Sequence, residues 1–190
     1  KKDITQEKMA VIIQNVHGNK YNEYFYPILS GVARSYNFYP GKKEKPENGV
    51  VCLALGLGKT IVDGGSVWSY SPSRPKAGPP FNSIQDMMKN TQIHFWAIDM
   101  KKDRYDPVKG TEFIEQLNYN EANKNVLLYI SSYYDPANDR LEIGSSKGPR
   151  VIDFAPILKT NLIPLNSIIK NVMSALENAF NKKIEIEFAF

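Results

Sequence analysis

From Ile184 to Phe190, apolar side chains alternate along the chain: Ile184, Ile186, Phe188 and Phe190 fall on one side, Glu185, Glu187 and Ala189 on the other. That two-residue period predicts a half-buried strand over 183–190, apolar face inward and carboxylates outward. One face in water points to an antiparallel sheet, and the inner face needs a covering element. Leu165, Ile168, Ile169, Val172, Met173, Leu176, Ala179 and Phe180 recur at three- and four-residue spacing, which predicts an amphipathic helix over 165–180. Pro164 suits its start. The chain stops on an apolar aromatic inside the last strand, whereas natural ends are usually polar and frayed. The expectation is therefore a segment of a larger multidomain protein.

Upstream, short apolar runs alternate with turn signals. Residues 9–16 (Met-Ala-Val-Ile-Ile-Gln-Asn-Val) and 50–55 read as buried strands, and 31–38 as a strand ending at Pro40-Gly41. Strands are also expected over 92–99, 126–134 and 150–158, and short helices over 83–89 and 111–117. Asn82 or Ser83 would cap the first of these helices. The aromatic stretch Tyr21, Tyr24, Phe25, Tyr26 reads as loop packing ahead of a stacking platform. The pattern is α+β: a mostly antiparallel sheet with a few packed helices, in a single domain over 1–190. Prolines at 72, 75, 79 and 80 open a long excursion.

Composition excludes several classes. The single cysteine, Cys52, lies in an apolar run and allows no internal disulfide, which favours a reducing, cytoplasmic compartment. Residues 1–6 have no apolar leader core, and no apolar stretch approaches the roughly 20 residues of a membrane span. The net charge of +4 comes with lysines interleaved with acids, so no nucleic-acid surface is expected. His17 and His94 lack metal-ligand partners at motif spacing, which excludes a zinc centre of the usual kind.

Two local patterns carry chemistry. Gly56-Leu57-Gly58-Lys59-Thr60 follows a strand. It lacks the first glycine of a Walker A loop, since Leu53 stands there, and the third glycine of a dinucleotide fingerprint, since Ile61 stands there. It reads either as a tight turn or as a junction offering backbone N–H groups to an anion, with Lys59 adding charge. Glu185 and Glu187 project from one strand face, roughly 7 Å apart. They read either as solvated side chains or as a Mg²⁺-holding pair.

Taken in order, Ala10-Val11-Ile12-Ile13-Gln14, Ser30-Gly31-Val32-Ala33, Leu55-Gly56-Leu57-Gly58 with Val62 and Gly64, and Ile184-Glu185-Ile186-Glu187-Phe188 resemble the nucleotide-binding domain of phosphoenolpyruvate synthase and pyruvate phosphate dikinase. The resemblance covers both ends of the chain, and residues 72–164 or so read as a divergent insertion. It implies the C-terminal part of an ATP-grasp domain, with ATP as substrate and Mg²⁺ as cofactor. Gln14 and Ser35 would face the nucleotide, and Glu185 and Glu187 the metal, while Gly56, Gly58 and Lys59 stay candidate phosphate contacts on the glycine junction's own chemistry. It implies a parent enzyme that phosphorylates pyruvate through a phosphohistidine, with the histidine, the pyruvate site and the basic phosphate contacts on domains outside this chain. No catalytic residue is then expected here, and the chain alone would have no turnover. Three departures stand out: Lys59 replaces a usual acidic residue, Arg34 a usual hydrophobe, and the match after Gln14 is one residue short. They keep two alternatives open, an ATP-grasp phosphotransferase with another acceptor and a degenerate nucleotide-binding module.

Overall fold

The computed structural model describes residues 9–41, 44–101, 108, 113–144 and 147–190. The chain is α+β, and every strand pairing among the described residues is antiparallel. A first hairpin, β1 (Asn19–Tyr21) and β2 (Tyr24–Tyr26), turns through Asn22 at φ 55°. Asparagine tolerates that left-handed geometry better than most residues. β3 (Ser30–Arg34), β4 (Val50–Ala54), the single-turn α1 (Lys59–Val62) and β5 (Trp68–Tyr70) follow. Then come α2 (Ile84–Asn90), β6 (His94–Asp99), β7 (Ile114–Asn118), α3 (Lys124–Ile130), β8 (Ser131–Asp135) and β9 (Arg140–Glu142). β10 (Arg150–Ile152), α4 (Ala155–Leu158), α5 (Leu165–Phe180) and β11 (Glu185–Ala189) complete the chain.

Among the described residues the strands form three sheets, with orders β11-β3-β4-β5, β1-β2-β6-β7 and β10-β8-β9. One apolar cluster joins them, running from Leu29, Ala33, Val51 and Leu53 through Tyr26 and Phe95 to Ile130, Ile152 and Met173. Tyr26 is the hub of this core. Its ring packs against Tyr21 at 4.7 Å and Phe95 at 4.9 Å between centroids, and its hydroxyl accepts the Asn123 N–H at 2.8 Å. No helix among the described residues is long and apolar enough to cross a membrane.

The two most periodic segments fold as their spacing predicts. α5 spans Leu165–Phe180 with Leu165, Ile169 and Met173 buried, while Ile168, Val172 and Phe180 on its flank stay exposed. In β11 the alternation holds: Ile186 and Phe188 are half-buried, Glu185, Glu187 and Ala189 exposed. Phe188 lies directly over Gly31 of β3, where an added Cβ would meet its ring at 2.1 Å. Glycine there leaves room for the tip of the last strand's aromatic ring.

Other expectations need correction. Residues 9–16 form no strand: Met9, Val11, Ile12 and Ile13 are largely exposed, because no neighbouring strand supplies a hydrogen-bond ladder. The 31–38 strand stops at Arg34. Residues 111–117 were expected to be helical. Residues 111 and 112 lie outside the described residues, and Ile114–Asn118 pairs with β6 as a strand, so cross-strand packing overrides the local pattern. Residues 126–134 divide into the end of α3 and then β8. Val126, Leu127 and Ile130 are buried on one helix face, and Asn123 caps the start by accepting the Asn125 N–H. Residues 150–158 likewise divide into β10 and α4, with Pro156 in the first turn of α4. The aromatic stretch from Tyr21 is a hairpin and not a loop. Ser83 does cap α2, accepting the Asp86 N–H at 3.0 Å.

Asp153 is 1% exposed, and its Oδ1 accepts the Ala155 N–H at 3.1 Å. Burial pushes its carboxyl above the usual carboxylate range against the pull of that N–H. The folded chain therefore keeps a proton that the unfolded chain releases near pH ~4. This stabilisation is complete below that pH and is lost as pH rises through the raised folded value. Asp153→Asn, which does not titrate, should gain stability over the parent as pH rises from 4 to 7, read as urea midpoints; a pH-independent difference would contradict this. Gly31→Ala should cost about 1–3 kcal/mol by overpacking against Phe188. A double-mutant cycle with Phe188→Leu should recover most of that loss.

Candidate functional site

The glycine turn after β4 is built by contacts on three sides. Leu55 is fully buried where β4 leaves its sheet. Its N–H donates to Gln92 Oε1 at 2.7 Å, and its carbonyl accepts from Gln92 Nε2 at 3.1 Å. The same Nε2 donates to the His94 carbonyl at 2.9 Å, so one side chain joins β4 to β6. Gly56 has φ 77°, and a Cβ there would lie 2.6 Å from the Trp96 carbonyl oxygen. No other residue fits both the angle and the approach. The Leu57 N–H donates to that same Trp96 oxygen at 2.9 Å, and the Ser30 hydroxyl donates to the Gly56 carbonyl at 2.7 Å. Gly58, by contrast, is right-handed, and an added Cβ would make only ordinary contact with Ser30.

A cavity of about 720 Å³ lies beside this turn. Residues 14–17, the start of β3, the Leu57–Lys59 turn and the end of β11 form its walls. It brings together Gln14, Gly58, Lys59 and Glu187, and also His17, which no sequence pattern marked. Ser35, Gly56 and Glu185 do not line it. Ser35 is buried at the far end of β3, where its N–H donates to the Ile184 carbonyl and its Oγ accepts the Ile184 N–H, both at 3.0 Å. That hydroxyl extends the β3–β11 ladder. Gly56 serves the turn. Glu185 faces Arg34 across the strand pair and accepts from its Nε at 2.5 Å and its Nη2 at 3.4 Å. Both side chains are about half-exposed, so the pair is worth about 0.2–1 kcal/mol. Glu185 and Arg34 line a separate cavity with Tyr36, Phe38 and Lys183.

Lys59 has two contacts of its own. Its Nζ lies 2.6 Å from Asp63 Oδ2 and 5.0 Å from the centre of the Trp96 ring. Asp63 and Trp96 line a third cavity of about 370 Å³ with Thr60, Lys89, His94 and Gln116. α1 is thus a one-turn wall between two cavities. Its dipole is too short to contribute much, and the site's charge comes from side chains.

No group of three or more His, Cys, Asp or Glu side chains is arranged to hold a metal among the described residues. Glu187 makes no ion pair among them and is exposed beside the groove. One carboxylate and the neutral Gln14 in the same cavity could hold only an ion that keeps most of its waters. They do not suit an ion needing an all-protein cage. Cys52 adds no nucleophile, because burial raises its thiol pKa and keeps it protonated.

Gln92→Leu should lower stability by about 2 kcal/mol or more, since it leaves both backbone groups of Leu55 buried without partners. Urea denaturation would measure the loss, and faster amide exchange at Leu57 would place it at the glycine turn. Comparison of the chain with protein-family models, curated proteins and solved structures finds no match.

Proposed function

We propose that this chain supplies the metal side of an ATP-phosphate site in an ATP-grasp phosphotransferase resembling phosphoenolpyruvate synthase and pyruvate phosphate dikinase. The carrying observation is the groove itself. Gln14, Gly58 and Glu187, drawn from three distant stretches of sequence that bear the resemblance, line one cavity together with Lys59, and it is large enough for a nucleotide's phosphates. Phosphoryl transfer asks mainly for positioning and charge neutralisation. Glu187 would hold Mg²⁺, which when bound would supply positive charge to offset that of the phosphates. The Gln14 amide would donate to a phosphate or hydroxyl, and Lys59 would add a point charge. Gly58 leaves its stretch of wall free of side chain. In this reading the acceptor is pyruvate, reached through a phosphohistidine on another domain, in the cytoplasm.

The Arg34–Glu185 pair favours a second reading, a nucleotide-binding module without transfer. One of the two expected metal carboxylates already has a cation. Under either reading the chain alone has no turnover.

Calorimetric titration of ATP with Mg²⁺ should show Mg²⁺-dependent binding that weakens at least about tenfold in Glu187→Ala, about 1.4 kcal/mol. Equal binding by the variant would remove Glu187 from the site, and no binding at millimolar ATP would overturn the proposal. Phosphoenolpyruvate formation by the chain alone would overturn the half-site assignment.

A further inference from the structure

We infer that Asp63 and Trp96 are positioning residues for Lys59: they hold its ammonium in reserve beside the groove, and a polyphosphate in the groove withdraws it from the indole. This rests on the phosphate-site reading above. Lys59 belongs to both sides of α1. It lines the groove with Glu187 and Gln14, yet its Nζ sits at 2.6 Å from Asp63 and 5.0 Å from the Trp96 ring centre, on the side of the neighbouring cavity. Both holds are shallow. The Lys59 and Asp63 side chains are 34% and 48% exposed, so water and salt screen their attraction. A cation over a partly exposed ring is similarly weak.

A triphosphate concentrates several negative charges within hydrogen-bond reach of one another, so it outcompetes a single screened carboxylate for a mobile ammonium. The flexible four-carbon stem of lysine permits the swing, which the rigid fork of arginine would restrict. Asp63 is not stranded by the departure, because its side chain is 48% exposed and water solvates it. Until a polyphosphate arrives, Asp63 offsets the charge of the Lys59 ammonium, and single anions gain little from entering. The arrangement selects for ligands with several linked phosphates.

The test uses the natural chain with 5-fluorotryptophan in place of its two tryptophans, Trp68 and Trp96. Trp68 is buried in the core and serves as the internal control. Fluorine-19 spectra are recorded while ATP with Mg²⁺, tripolyphosphate with Mg²⁺, or sulfate at equal ionic strength is added, and phosphorus-31 spectra report ligand binding independently. The expected result is a saturable shift of the Trp96 signal with ATP and tripolyphosphate, none with sulfate, and a constant Trp68 signal. Asp63→Asn should raise tripolyphosphate affinity about threefold or more; a merely structural aspartate would leave it unchanged or lower it. Lys59→Met should move the ligand-free Trp96 signal and abolish its response. Phosphorus signals that report binding while Trp96 stays unmoved would sink this inference and leave the phosphate site standing. Unmoved phosphorus signals would sink both. The wild-type titrations decide between these outcomes even where a variant fails to fold.

Discussion

The backbone of Leu55 leaves its sheet while fully buried, and the side chain of Gln92 receives it. An amide has the donor and acceptor geometry of one peptide unit, so Gln92 stands in for a missing strand and lets two sheets meet without an unsatisfied polar group. The next residue, Gly56, can then press its backbone on the Trp96 carbonyl. Leu57, Gly58 and Lys59 take their places from that contact. Remove the amide and the turn has no fixed position, nor has the groove wall it forms.

β11 gives the opposite wall by a different device. Phe188 packs its ring over Gly31 and the Ser35 hydroxyl extends the ladder past its regular end, so the strand is fixed near one end of its run and at the other tip. Glu187 is held between these anchors at a set distance from the glycine turn. Glu185, two residues earlier on the same face, meets a guanidinium across the strand pair and is drawn into a different neighbourhood. Equivalent positions in a strand's period can thus have unequal chemistry, because the opposing strand decides which carboxylate is neutralised.

How much of this was legible in the sequence follows from where the determining contacts lie. α5 and β11 could be read because their periodicities are local and each buries one continuous stripe. Val126–Ile130 could not be told from a strand by apolar content, although Asn123 carried a usable capping signal. Residues 9–16 have strand composition without a strand's partner, and composition cannot supply a ladder. Gln14, Gly58, Lys59 and Glu187, singled out in the sequence, fall around one cavity, whereas Gln92 and Trp96 act through neighbours about 37 positions away in sequence and had no local mark. Arg34 was visible as a departure, but its grip on Glu185 spans most of the chain and needed the fold.

The exposed run from Met9 to Val16 has a colloidal consequence. It combines β-branched and apolar residues with no charge and no proline, the composition from which cross-β stacks are assembled. Its backbone, free of a ladder, is available to the same segment of another molecule. Concentration, rather than unfolding of the core, would then set how long solutions of this chain stay clear. A single lysine placed in that run would act as a gatekeeper while leaving the groove's other three walls untouched.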